Sequence, residues 1–388
     1  MTKWDSRKSV PDVFVQANLG LISTSRKGYR IAPFELFHKI ETSALIKSKI
    51  QSRQIPPWML SLGEGLGERS EPGLLSACYA SGIMREYANV PQGSIFPGIF
   101  GRLSTDRMTF TLKGIGMCKG ERIPIACNGT QIEIDACYET PESLLLVEAK
   151  NCLLEDFNLR QLYFPWRYLH NKIAKTIRPL FIMRSNEVIS VFEYKFTDES
   201  EMDSIELISA NRYSFADTEI TEEDLRELLS SIEQPKMADH KTFPQANNLE
   251  LVIDLCERLY NSPADTDDIA ESLKYVHRQG QYYAKAAHFL GLVEKPQAAL
   301  HSLTNEGKRI FSLPYKRRQL ELAKKFLEYR VFFRCLDFSL NNSEQPEDKI
   351  VARWIMEDGW PMNETTALRR ASTVIGWTRW LIHLTNVN

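Results

Sequence analysis

A chain of 388 residues, 43% hydrophobic and 25% charged, has the composition of a globular protein and exceeds one ordinary core, so two or three domains are expected. With no apolar run of about eighteen residues and no apolar leader in "MTKWDSRKSVPDVFVQ", the sequence predicts a cytoplasmic protein without a membrane span. The net charge of -2 excludes an overall basic field, and seven scattered cysteines with no C-x-x-C exclude a zinc ribbon or a disulfide framework; reduced, buried thiols are expected.

Short apolar pieces run to "QIPPWML", where two prolines bar a continuing helix, and residues 1–62 read as an N-terminal subdomain or arm. The Gly-rich "SLGEGLGE" lacks G-K-[ST] and reads as a turn, so no nucleotide cofactor is expected. Helical spacing with Pro72 in the first turn predicts one helix from Glu71 to Tyr87. From Ser104 the period becomes two: "RMTFTLKGI", "ERIPIAC", "TQIEIDACYE" and "SLLLVEAKN" read as strands. The stretch "NLRQLYFPWRYLHNKI" returns to helical spacing despite Pro165, and three further strands follow. Residues 63–236 therefore read as a mixed α/β (α+β) layer domain, and residues 237–388 as an all-helical domain.

One constellation carries chemistry. Side chains alternate across a strand, so Glu148 and Lys150 share a face, and Asp135 at the end of the preceding strand meets them. Two carboxylates beside a lysine suit a hard divalent cation, with the Ala149 carbonyl as a third oxygen ligand and the lysine near a phosphate. The plain alternative is a strand that reaches solvent at a sheet edge, with Asp135 closing a turn.

The D-(x)12-E-x-K arrangement, reading Ile134-Asp135 then Glu148-Ala149-Lys150, resembles the PD-(D/E)xK nuclease superfamily, although the usual proline before the aspartate is absent. The resemblance covers roughly residues 63 to 215 and implies the restriction-endonuclease-like core with a mixed sheet. It implies Asp135, Glu148 and Ala149 as metal ligands, Lys150 orienting or activating water, and Mg²⁺ as cofactor with Mn²⁺ as its substitute. Gln161 and Tyr168 match the Gln and Tyr that flank such sites from the following helix. "EPGLLSACYASGI" resembles the E-x-x-x-L and S-G-I pattern of restriction enzymes of this fold, which favours Glu71 over its rival Glu86 as the upstream acid.

Leu249 to Leu313 resembles a winged helix: "LELVIDLCERLY", "TDDIAESL", the turn "KYVHR", a third helix "RQGQYYAKAAHFLGLV" and a wing at "EKPQAALHSLT". In such readers the third helix enters the major groove, which points to Arg278, Gln279, Gln281, Tyr282 and Lys285. "TTALRRASTVIGWTRWLIHL" reads as a helix pair that exposes Arg369, Arg370, Thr373 and Arg379 as local positive charge. The expectation is a Mg²⁺-dependent type II restriction endonuclease acting on double-stranded DNA, a homodimer if its target is palindromic. A structure-specific repair or recombination nuclease of the same fold, or a non-catalytic winged-helix regulator, are the alternatives.

Overall fold

A seven-stranded mixed sheet organises the first part of the computed structural model, which describes residues 4–45, 48–62, 70–216, 219–238, 242–272, 277–297 and 300–385. Two units divide the chain: Met1–Arg184 with Val188–Phe215, and Ser185–Glu187 with Ala216–Asn388. The boundary after Phe215 precedes the change of composition at Met237, so the acidic helix that follows the sheet belongs to the second unit. The Gly-rich segment 63–69 lies outside the described residues.

In the first unit the sheet contains β1 (Ile50–Ser52), β2 (Phe96–Pro97), β3 (Ala136–Glu139), β4 (Ser143–Lys150), β5 (Thr176–Ser185), β6 (Val188–Phe196) and β7 (Ile205–Ser214), in the order β1-β7-β6-β5-β4-β3-β2. The N-terminal segment is thus built into this unit, because β1 pairs in parallel with β7 and Phe37–Lys39 pairs with Asp156–Asn158. β3 and β4 are an antiparallel hairpin, whereas β4 and β5 are parallel. Parallel neighbours need a crossover, and the helix Arg160–His170 supplies it.

Two expected elements are each divided. Glu71 to Tyr87 is two helices, α1 (Glu71–Ala80) and α2 (Ile83–Ala88), because Gly82 takes a left-handed φ of 84° that ends the first run. Ser70 caps α1, its hydroxyl accepting from the Gly73 N–H at 3.1 Å. "TQIEIDACYE" is broken at Asp135: Gln131–Ile134 pairs with Gly101–Ser104, and only Ala136 onward joins the large sheet.

Pleating decides which face of β4 is which. Leu145, Val147 and Ala149 pack into a core with Leu74, Leu75 and Cys78 of α1 and Ile83, Met84 and Tyr87 of α2. The alternate residues, Leu144, Leu146, Glu148 and Lys150, therefore face the other side. Tyr138 on β3 locks α1 in place by donating to the Leu75 carbonyl at 2.8 Å, and Tyr87 locks α2 by donating to the Val191 carbonyl at 3.0 Å.

The crossover helix is α3 (Arg160–His170), kept helical with Pro165 inside it by its buried Leu162, Tyr163, Phe164, Trp166 and Leu169. Asn158 starts it, its side-chain oxygen accepting from the Arg160 N–H at 3.0 Å.

The second unit begins with α4 (Glu222–Ser230), whose Thr221 and Asp224 form a capping box. α5 (Leu249–Asn261), strand β8 (Ala264–Asp265), α6 (Thr266–Ser272) and α7 (His277–Phe289) follow, then β9 (Val293–Glu294) and β10 (Leu300–Leu303) as an antiparallel pair. β8 adds to β10, which gives a small sheet in the order β8-β10-β9. α8 (Asn305–Phe311), α9 (Tyr315–Leu327), α10 (Arg330–Asn342), α11 (Asp348–Glu357) and α12 (Glu364–Leu384) complete it.

The expected C-terminal helix pair is this single 21-residue α12, capped by Asn363 accepting from the Thr366 N–H at 2.9 Å. Its Trp377 sits among Phe289, Phe326 and Phe332 and donates to the Ala246 carbonyl at 2.7 Å. Gly376 permits the approach, since a Cβ there would stand 2.2 Å from the Asn247 carbonyl oxygen.

Candidate active site

The opening of the chain at Asp135 has a local cause. Asp135 lies in a bend, and one of its carboxylate oxygens accepts the Ala149 N–H at 2.9 Å, so a side chain takes the place of a ladder acceptor. This bond ties Asp135 to the strand that carries Glu148 and Lys150. On that strand the Lys150 ammonium donates to Glu148 Oε1 at 2.6 Å, and Gln161 Nε2, from the first turn of α3, donates to the same oxygen at 2.5 Å.

The pair does not reach solvent at a sheet edge. β4 has neighbours on both sides, and Glu148 and Lys150 are 6% and 7% exposed. Charges so placed cost desolvation energy that a hydrophobic pair would avoid, so burial of this kind is poor economy for stability alone.

The electrostatics follow from burial and from an excess of acids. Burial pushes the Glu148 carboxyl up to about 8; Lys150 pulls it back, while the charges of Asp135 and Glu71 add to the rise. Burial works against the Lys150 ammonium as well, but Glu148, Glu71 and Asp135 outweigh it and hold its pKa above the ordinary lysine value. Three carboxyl groups thus act on one lysine. Glu71 opens α1 and joins this set, whereas Glu86 is engaged by the Arg53 guanidinium and by the Tyr213 hydroxyl at 3.2 Å.

Arg160 is the group that sequence reasoning passed over. Burial lowers its pKa, with Asp5 and Glu148 opposing, which places a second cation within electrostatic reach of Glu148. Its signal was available: an arginine at the first position of a helix opposes the helix dipole, so a compensating anion was to be expected. Tyr168 is not gathered into the cluster. It lies two turns past Gln161, about 10 Å along the axis, and the Lys172 ammonium sits 4.4 Å from its ring centre.

For a cation the donors are hard oxygens, the kind that suits Mg²⁺. Beside them the Gln161 Oε1 is buried with no hydrogen-bond partner. Among the described residues no group of three or more His, Cys, Asp or Glu side chains is arranged to hold a metal ion. A cation here would therefore take Asp135 and Glu148 and complete its shell with main-chain oxygen, water and substrate, which is how Mg²⁺ is commonly held.

Residues 32–214 match a domain of unknown function, DUF6997, and residues 251–386 match another, DUF7226. The first match spans every strand of the large sheet and ends with β7; the second begins inside α5. No curated protein and no solved structure matches the chain.

In the second unit Gln281 and Lys285 are exposed one turn apart on α7, and Tyr282 is half-buried. The side chains of Arg278 and Gln279 lie outside the described residues. On α12, Arg369 and Arg379 are exposed and Arg370 is half-buried; burial and Arg369 lower the Arg370 pKa, and Tyr282 opposes them. Arg369, Arg370 and α7 therefore share one neighbourhood. Thr373, expected at the surface, is buried and donates to Asn247 Oδ1 at 2.8 Å, because its side of α12 faces the aromatic core. Among the described residues no helix is long and apolar enough to cross a membrane.

Proposed function

We propose that the protein is a Mg²⁺-dependent endonuclease that hydrolyses phosphodiester bonds of double-stranded DNA at specific sites, with a first unit resembling the PD-(D/E)xK nucleases. One observation carries the reading: Glu148 and Lys150 are buried side by side inside a sheet, where nothing structural rewards burying them, and half-buried Asp135 is tied to the same strand through the Ala149 N–H. The order hairpin, crossover helix, parallel strand, with Gln161 brought onto Glu148, supports it further.

Asp135 and Glu148, with the Ala149 carbonyl, would hold Mg²⁺, which when bound polarises a phosphoryl oxygen and acidifies water. Lys150 faces the same carboxylate and is held cationic by its neighbours, so it orients the attacking water and offsets charge that builds on the phosphate. Arg160 adds positive charge from the start of α3. Gln161 restrains the Glu148 carboxyl group from rotating away. The reaction adds water across one P–O bond, leaving a phosphate monoester on one strand end and a hydroxyl on the other.

Site recognition falls to the second unit. Its order of helix, strand, two helices and a strand pair supports the winged-helix reading, with α7 as the helix that enters the major groove. Gln281 and Lys285 would contact base edges or phosphates, and Arg369 and Arg370 would hold the backbone. Incubation with unmethylated phage DNA and Mg²⁺, beside a Lys150→Ala variant and an EDTA control, tests the proposal. Discrete bands from the wild type alone support it, and intact DNA in every lane with folded protein refutes it.

A further inference from the structure

The first unit also holds a cleft of about 460 Å³, within the size range of small-ligand sites. Two antiparallel ladders build it. Gly20–Ser23 pairs with Tyr29–Ala32, setting Ser23 opposite Tyr29, and Gly101–Ser104 pairs with Gln131–Ile134, setting Ser104 opposite Gln131. All four residues line the cleft, together with Arg26 and Arg102. The ladders are joined by the Asn128 N–H donating to the Thr24 carbonyl at 2.9 Å and by Arg26 reaching the Ser104 hydroxyl at 3.5 Å.

The lining has the chemistry of a nucleotide site. Arg26 leans on a hydroxyl rather than an acid, and Arg102 meets Glu133 at 3.3 Å in a solvent-exposed pair that screening weakens. Two guanidiniums lining one cleft suit a phosphate. Tyr29 is 44% exposed and its ring offers a stacking face, and the Gln131 amide offers both a donor and an acceptor to a base edge.

Position ties the cleft to the candidate active site. Gln131 is four residues before Asp135 on the same stretch of chain, so the two are at most about 14 Å apart. Tyr29 and Glu148 both lie within electrostatic reach of Arg160.

We propose that this cleft takes one unstacked nucleotide of the substrate strand, its base on Tyr29 and Gln131 and its phosphate between Arg26 and Arg102. The proposal rests on the nuclease reading for its substrate. A base inside a duplex cannot stack on a tyrosine, so the nucleotide must be flipped out or already unpaired.

The test is equilibrium binding of the four deoxynucleoside monophosphates, the matching nucleosides and inorganic phosphate to the full chain in EDTA. At least one monophosphate should bind, its nucleoside at least about tenfold more weakly. An Arg26→Ala/Arg102→Ala variant with unchanged melting temperature should lose about tenfold or more in affinity, and Lys150→Ala should lose none. Tyr29→Leu should weaken all four monophosphates alike, and Gln131→Ala should remove preference among bases. Absence of monophosphate binding up to about 10 mM overturns the proposal. So does inorganic phosphate binding as tightly as the nucleotides, or wild-type affinity in the double arginine variant. If the wild type cuts DNA and the arginine variant cuts it equally well, the cleft proposal fails and the nuclease reading stands. If nucleotides bind as described but no DNA is cut, the cleft is a nucleotide site and the nuclease reading fails.

Discussion

Replacing Glu148 by Gln sets two magnitudes against each other. If the buried pair behaved as a plain ion pair, removing its anion would strand the Lys150 ammonium at a cost of about 3–5 kcal/mol. The surroundings argue otherwise. Burial lifts the Glu148 carboxyl to about 8, so near neutrality the folded protein holds a proton there that the unfolded chain, with an ordinary value of 4.5, has released. The folded state therefore binds more protons between about pH 4.5 and 8, and stability falls as pH rises through that window. At about 1.4 kcal/mol per unit, holding that proton at pH 7 costs the wild type about 3 kcal/mol.

A glutamine has the shape of the protonated acid and carries no such cost. Its carbonyl still accepts from Lys150, which keeps the charges of Asp135 and Glu71. Glu148→Gln should thus be more stable than the wild type by about 2–3 kcal/mol at pH 7 and nearly equal to it at pH 4.5. Urea unfolding in EDTA at several pH values measures this. A variant less stable than the wild type by about 3 kcal/mol or more at pH 7 would refute the reasoning.

Millimolar Mg²⁺ should raise the melting temperature of the wild type and leave that of Asp135→Asn unchanged, read by calorimetry, because binding stabilises only a protein that holds its ligand set. Gly376→Ala should cost about 1–3 kcal/mol in denaturant unfolding, since the new methyl meets the Asn247 carbonyl oxygen at 2.2 Å and α12 must shift. Burial, with Lys295 and His288 adding to it, lowers His301 to about 4, so the unfolded chain binds the extra proton between about pH 4 and 6.5. The stability of the second unit should therefore fall as pH drops through that window, and His301→Gln should flatten the dependence in a series of thermal melts. Replacing Gln281, Lys285 and Arg369 together by Ala should weaken DNA binding and lower its salt slope by about 2, for the two cations lost, in titrations at graded salt.

Much of the candidate site was legible because it rests on short-range rules. A period of two puts Glu148 and Lys150 on one face, and a hairpin between two apolar strands sets Asp135 opposite them; both hold. Burial of the pair was not legible, since it depends on β5 pairing beyond α3, a contact that no local pattern encodes. Likewise β1 joins the sheet through β7, more than half the unit away in sequence, so residues before 62 read as a separate arm. The break at Gly82 was marked by the glycine itself, yet helical spacing on either side concealed it. Thr373 lay on a helix rich in arginine, and only the aromatic core shows which side of that helix is buried. The cleft has no local signature in the sequence because its walls come from two ladders, each ordinary alone.

In the proposed function Asp135, Glu148 and Lys150 work together on a phosphodiester bond. Single-turnover cleavage of a DNA duplex by the wild type, Asp135→Asn and Lys150→Met, each verified as folded, measures that directly. Mg²⁺-dependent cleavage by the wild type should fall by about a hundredfold or more in each variant. Cleavage at rates within about threefold of the wild type in either variant, or none by the wild type on any duplex it binds, would contradict the proposed function.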